Sequence, residues 1–169
     1  MKTLALVLTT LLFSATTLFA AGGVAYIDLQ KALNLSDAGA KAKQEISEQV
    51  KKYELVVKEK QDALLSMKQD IEKQAVLLSE DAKAQKAREY QQQVKELERF
   101  TKDIQEELQQ KDADFTKQII AEIFEVIDVI GAEGDYDVIL EKTESSLLYA
   151  SRRIDLTQQV IDAYNAKEK

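Results

Sequence analysis

Between residues 43 and 118 apolar side chains recur at spacings of three and four, and the phase of that repeat changes once. In the first series Val50, Val57, Leu64, Ile71 and Leu78 occupy heptad position a, with Ile46, Tyr53 and Met67 at d. Two of its d positions are polar, Lys60 and Gln74. The second series has Ala87, Val94, Leu108 and Phe115 at a and Tyr90, Leu97 and Ile104 at d, with Thr101 and Lys111 as polar intrusions. Apolar a and d positions predict a coiled coil. Seven-residue steps from Leu78 reach Gln85 and Gln92, whereas the second series starts at Ala87. One continuous seam must break there. Two arms folded back on one another need no continuity.

Antiparallel packing sets a of one arm against d of the other. A register in which partner numbers sum to 161 pairs Ile71 with Tyr90, Met67 with Val94, Leu64 with Leu97, Val57 with Ile104, Tyr53 with Leu108 and Ile46 with Phe115. It also puts Lys60 opposite Thr101, two polar exceptions in one layer; Val50 with Lys111 and Gln74 with Ala87 mix types. Sums of 154 or 168 keep the heptad phase but move the turn away from the helix-start signal. That signal is Ser79, an N-cap residue followed by Glu80 and Asp81, whose charge favours a helix N-terminus. The tip is therefore expected near 79–82. Each arm of about 40 residues would be ~60 Å long, against ~135 Å for a single straight rod.

Beyond Phe115 the pattern widens. Ile119, Ile120, Ile123, Phe124, Ile127 and Ile130 form a broader stripe than a two-helix seam requires, so this part should bury itself in a larger body. Gly131 reads as a C-cap and Gly134-Asp135 as a turn. In "YDVILEKTESSLLYAS" the runs Val138–Leu140 and Leu147–Tyr149 read as a β-hairpin covered on both faces, and "GVAYIDL" as a third strand. "IDLTQQVIDAYN" reads as a closing helix capped by Asp155 or Thr157, with Leu156, Val160, Ile161 and Tyr164 inward. Three short strands and two helix ends make a small core, so self-association is expected. The fold class is mainly α with a small β body (α+β). Residues 22–39 and 119–169 form the oligomerisation body, and 40–118 the coiled-coil hairpin.

Composition narrows the function. With no Cys and no His, the chain lacks thiolate and imidazole ligands, a thiol nucleophile and the commonest general base. No cofactor, metal or catalytic residue is expected, and the chain is not expected to be an enzyme. Residues 1–21 carry Lys2 as their one charge, with Leu4–Phe19 apolar or small before Ala20-Ala21-Gly22. That pattern reads as a cleavable secretory signal, cut after one of Ala20 to Gly22, with an uncleaved membrane anchor as the alternative. The run is short for a spanning helix and has no basic stop behind it. Without residues 1–21 the net charge of −7 becomes −8. Residues 40–118 are nearly neutral, with 16 basic and 17 acidic residues, whereas 119–169 hold 5 against 11. Nucleic acid, which needs clustered positive charge, is not an expected partner.

The succession "VAYIDLQKALNLSDAGAKA" (24–42), "GDYDVILEKTESSLLYAS" (134–151) and "IDLTQQVIDAYN" (154–165), around a helical hairpin and behind a signal peptide, resembles the Skp/OmpH family of periplasmic chaperones for outer-membrane proteins. The resemblance spans essentially the whole mature chain. It implies a jellyfish-shaped homotrimer in which strands from three subunits build a barrel-like β body and three hairpin tentacles enclose a cavity. Unfolded outer-membrane β-barrel proteins would be held there without ATP, in the periplasm, until membrane insertion. Members are often basic, and this acidic chain departs from them. Residues 73–88 are locally positive, with Lys73, Lys83, Lys86 and Arg88 against Glu80 and Asp81. If a weak membrane-surface contact exists, it is expected only at the tip.

Leu55 and Val76 fall at f positions and Leu65 at b, pointing away from the seam, which makes these three the candidate client-binding residues. Val56, Leu77 and Phe100, at g, read as flanks of the seam. Asn34-Leu-Ser36 matches a glycosylation sequon but reads as a helix-opening turn. The alternative to a chaperone is a secreted coiled-coil spacer or envelope tether, which an extended rod would favour.

Overall fold

The structure is a computed structural model that describes residues 23–145 and 147–167; the expected signal segment lies outside them. Strand β1 (Gly23–Ile27) leads through Asp28 into the short helix α1 (Leu29–Leu35). Helices α2 (Asp37–Gln74) and α3 (Glu80–Glu133) form the hairpin, followed by strand β2 (Tyr136–Glu141) and closing helix α4 (Thr157–Lys167). A 3-10 turn, Arg152–Ile154, precedes α4.

Helix α2 stops at Gln74, and α3 starts at Glu80 with Ser79 as N-cap, its Oγ accepting from the Ala82 N–H at 3.3 Å. The chain therefore doubles back over 75–79, a few residues before the expected tip, and no straight rod forms. Contacts across the arms follow the 161 register closely. Tyr53 Oη donates to Glu107 at 2.7 Å, Lys111 Nζ donates to Gln49 at 3.1 Å, and Leu64 and Leu97 line one groove. The polar intrusions find partners at the seam margin. Lys60 Nζ lies 5.3 Å from the Phe100 ring centre, and Lys111 Nζ 5.7 Å from that of Phe115. Their stems can then cover apolar surface while the charge stays wet. Most seam residues are only half-buried, because two helices cannot enclose a stripe on every side.

The core sits at the base. Ile119, Ile123, Val126 and Ile130 of α3 pack with Ala25 and Ile27 of β1, Ala32 of α1, Ala42 of α2, and Leu156, Val160, Ile161 and Tyr164 from the C-terminal segment. The inward face expected for α4 is buried as the pattern reads. On α3 the expected stripe is corrected at one position: Phe124 is half exposed, and Val126 takes its place in the core. Gly131 is not a cap either. The helix continues through it to Glu133, and the left-handed residue that ends it is Asp135, at φ 53°.

The expected β-hairpin does not form. β2 pairs in parallel with β1, Ala25 opposite Ile139 and Ile27 opposite Glu141, and the helical hairpin is the crossover that parallel strands require. Leu147–Tyr149 is not a strand. Leu148 is 100% exposed and Tyr149 86%. An apolar run without alternation needs cover on both faces, and one copy of this chain has no layer for the second face. The far edge of β1 is closed by the segment before α4, whose Leu156 N–H donates to the Tyr26 carbonyl at 2.9 Å.

Candidate functional site

Two surfaces bear on function, the outer faces of the arms and the polar girdle at their base. The girdle ties the start of α1 to the residue after β2 and to the start of α4. Asp28 caps α1 by accepting from Lys31 N–H at 2.9 Å and receives Lys142 Nζ at 3.2 Å. Its own N–H donates to Thr157 Oγ1 at 3.0 Å. Tyr26 Oη donates to Asp155 at 3.1 Å, and Asp155 accepts the Thr157 N–H at 2.9 Å. The two cap candidates for α4 thus divide the work: Asp155 takes its first N–H, and Thr157 ties it to α1. Burial opposes the Asp155 charge, but hydrogen bonds from Thr157 and Tyr26 outweigh it and leave its pKa below the ordinary value. Burial and then the Asp155 carboxylate push the Tyr26 phenol upward. The hydrogen bond to Asp28 holds the Lys142 ammonium above its usual range.

A second tie joins α4 to α3. Tyr164 Oη donates to Glu122 at 2.5 Å, and Lys167 Nζ meets Glu125 at 2.6 Å. The Tyr164 hydroxyl, helped by Gln118, lowers the Glu122 pKa. A carboxylate with a lowered folded-state pKa adds stability above its ordinary value of 4.5, and that stability disappears as pH falls through the folded value. Thermal midpoints followed from about pH 6 to about pH 3 should fall, and fall less steeply in Glu122→Gln. Identical slopes would mean that the Tyr164–Glu122 contact is not maintained.

On the arms, Leu55 is 70% exposed, Leu65 55% and Val76 92%. All three point into solvent, but they do not form one patch. Leu55 and Leu65 are ten residues apart on α2, ~15 Å along its axis and turned from one another by roughly 80°. Val76 lies in the turn, not at a helical f position, because α2 has already ended. Leu77 beside it is also exposed, at 86%, so its seam-flanking assignment is corrected. Pattern reading missed it because the heptad was extended four residues past the end of the helix. Phe100 does flank the seam, edge-on to Tyr53 at 6.4 Å between ring centres. Val56 lines a groove of about 360 Å³ with Lys60, Ala63, Leu64, Met67 and Leu97.

Among the described residues no group of His, Cys, Asp or Glu is placed to hold a metal ion, and no helix is long and apolar enough to cross a membrane.

A long helical hairpin rises from a base in which β1 and β2 meet in parallel. The family described as "Outer membrane protein (OmpH-like)" matches residues 23–164. The chain belongs to the OmpH-like family. Among solved structures, a candidate outer membrane chaperone (OmpH-like) from Caulobacter crescentus superposes with a TM-score of 0.81 at 18% identity, covering 93% of this chain and 92% of that one. At that identity the likeness establishes the fold of this OmpH-like chain. No curated protein matches it.

Proposed function

We propose that this OmpH-like protein is an ATP-independent periplasmic holdase, which keeps unfolded outer-membrane β-barrel proteins from aggregating before their insertion. The observation that carries this reading is the exposure of Leu55, Leu65, Val76 and Leu77 on arms of nearly balanced charge. Apolar contact contributes ~25 cal/mol per Å². Many scattered contacts of that size add up to useful affinity, and each stays weak enough to release without a motor. Balanced charge repels clients of neither sign.

In this reading residues 22–39 and 119–169 form the assembling body and 40–118 the grasping arm. The body's uncovered apolar surface supports assembly: Leu148 and Tyr149 are exposed, and Val24 and Val138, paired across the sheet, are each about half exposed. A homotrimer would cover them and stand three hairpins around a shared space. Residues 1–21, with their apolar run, supply the export signal. The antiparallel hairpin argues against an extended spacer.

The purified protein should suppress aggregation of an unfolded outer-membrane barrel at near-stoichiometric ratio, as followed by light scattering. No suppression by an intact assembly would overturn the reading. Leu55→Asp combined with Val76→Asp should weaken client binding about tenfold or more while helicity and native mass stay unchanged, since both sites are solvent-facing and each loses roughly 1 kcal/mol or more of apolar contact. Unaltered client affinity would remove these residues from the binding surface.

A further inference from the structure

The described residues contain a single sulfur atom, and it sits at the mechanical centre of the outer hairpin. There is no cysteine, and the two methionines are Met1 and Met67. Met67 occupies position d of α2, half-buried in the seam, and opens onto the groove that it lines with Leu64, Gln93 and Leu97. Between the polar Lys60–Thr101 layer and the turn, the 161 register leaves three apolar layers: Leu64 with Leu97, Met67 with Val94, and Ile71 with Tyr90. The members of all three are half-buried. Below Lys60 the seam has other support, from the Tyr53–Glu107 and Lys111–Gln49 hydrogen bonds.

We propose that Met67 is an oxidative modification site whose sulfoxide unzips the outer part of the hairpin. The reagent class is a peroxide. One peroxide oxygen transfers to the thioether, the O–O bond breaks and an S=O bond forms. Sulfur loses two electrons, and the other peroxide oxygen leaves as water. The product is a polar side chain in the middle of three apolar layers, where it must either leave the seam or stay there partly desolvated. Either course separates Leu64–Leu97 from Ile71–Tyr90, and neither remaining layer is enclosed. The groove gives the reagent access without prior unfolding. Because the sulfoxide can be reduced enzymatically, the change is reversible in principle.

The full-length protein would be treated with hydrogen peroxide and examined by peptide mass mapping and hydrogen exchange. The expected result is one added oxygen on the peptide containing Met67. Amides of 62–72 and 88–98 should then exchange at least tenfold faster, with those of 119–130 unchanged. Met67→Leu should keep the untreated exchange pattern and show no acceleration after peroxide, and Met67→Gln should reproduce the acceleration without it. Two results overturn the proposal: oxygen added at Met67 with unchanged exchange, or no oxygen at Met67 under conditions that oxidise free methionine.

Discussion

Gly39→Ala should destabilise the protein by on the order of 3 kcal/mol, the upper end for an overpacked site, because the clash is with backbone. A Cβ at this position would stand 1.8 Å from the Leu33 carbonyl oxygen and 3.1 Å from Ser36 Oγ. Both atoms are fixed. Ser36 is fully buried, its Oγ donates to the Leu33 carbonyl at 3.0 Å, and it accepts the Gly39 N–H at 3.0 Å as the N-cap of α2. One hydroxyl thus closes the end of α1 and opens α2, and only a residue without a side chain can pass the preceding carbonyl. Relief requires α1 to move, and α1 carries buried Ala32 and the Asp28 cap. Urea unfolding followed by circular dichroism measures the change. Gly131→Ala is the control: a Cβ there meets only the Ile139 Cδ1, at 3.5 Å, within a helix that glycine weakens. A Gly39→Ala midpoint as high as that of the control would show that α1 and α2 do not approach this closely.

The same junction marks what the amino-acid pattern could and could not reveal. Periodicity is a local property, and it located the arms, the inward face of α4 and, through the Ser79 cap, the start of α3. The phase slip before Ala87 was enough to choose a hairpin over a rod. What pattern cannot carry is the identity of a partner. The runs at 138–140 and 147–149 read as mutual partners because they are neighbours in sequence, yet β2 pairs with β1 across the whole length of the hairpin. Nothing local distinguishes a strand whose mate follows it directly in sequence from one whose mate is more than a hundred residues away. Exposed side chains were legible to the extent that helix boundaries were. Leu55 and Leu65 lie well inside α2 and face solvent as their heptad positions require, whereas Val76 and Leu77 are exposed because the helix has ended. The Gly39 contact was invisible for a third reason: close approach depends on the angle between two helices, which no periodicity encodes.

Tyr164→Ala should cost about 3–5 kcal/mol, the range for deleting a large buried aromatic side chain. Tyr164 is the largest of the fully buried side chains, and its hydroxyl reaches Glu122 on α3. The ring fills the space where α4 meets α3, so its loss leaves a cavity that helices tethered elsewhere cannot collapse to fill. Those tethers are the Lys167–Glu125 ion pair, the Asn165 Oδ1 acceptor for the Asp37 N–H at 2.9 Å, and the Thr157 acceptor for the Asp28 N–H. Tyr164→Phe separates the two contributions: it keeps the ring and should cost about 1.5–3 kcal/mol, the range for a hydrogen bond to a charged group. With the ring gone, α4 is held to α3 and to the first turn of α2 by these polar contacts alone, and the base from which the arms diverge loosens. Chemical denaturation should therefore show Tyr164→Ala unfolding at the base while the outer hairpin, which makes none of these contacts, keeps its helicity into the transition. If Tyr164→Ala and Tyr164→Phe shift the midpoint equally, the ring does not support the base.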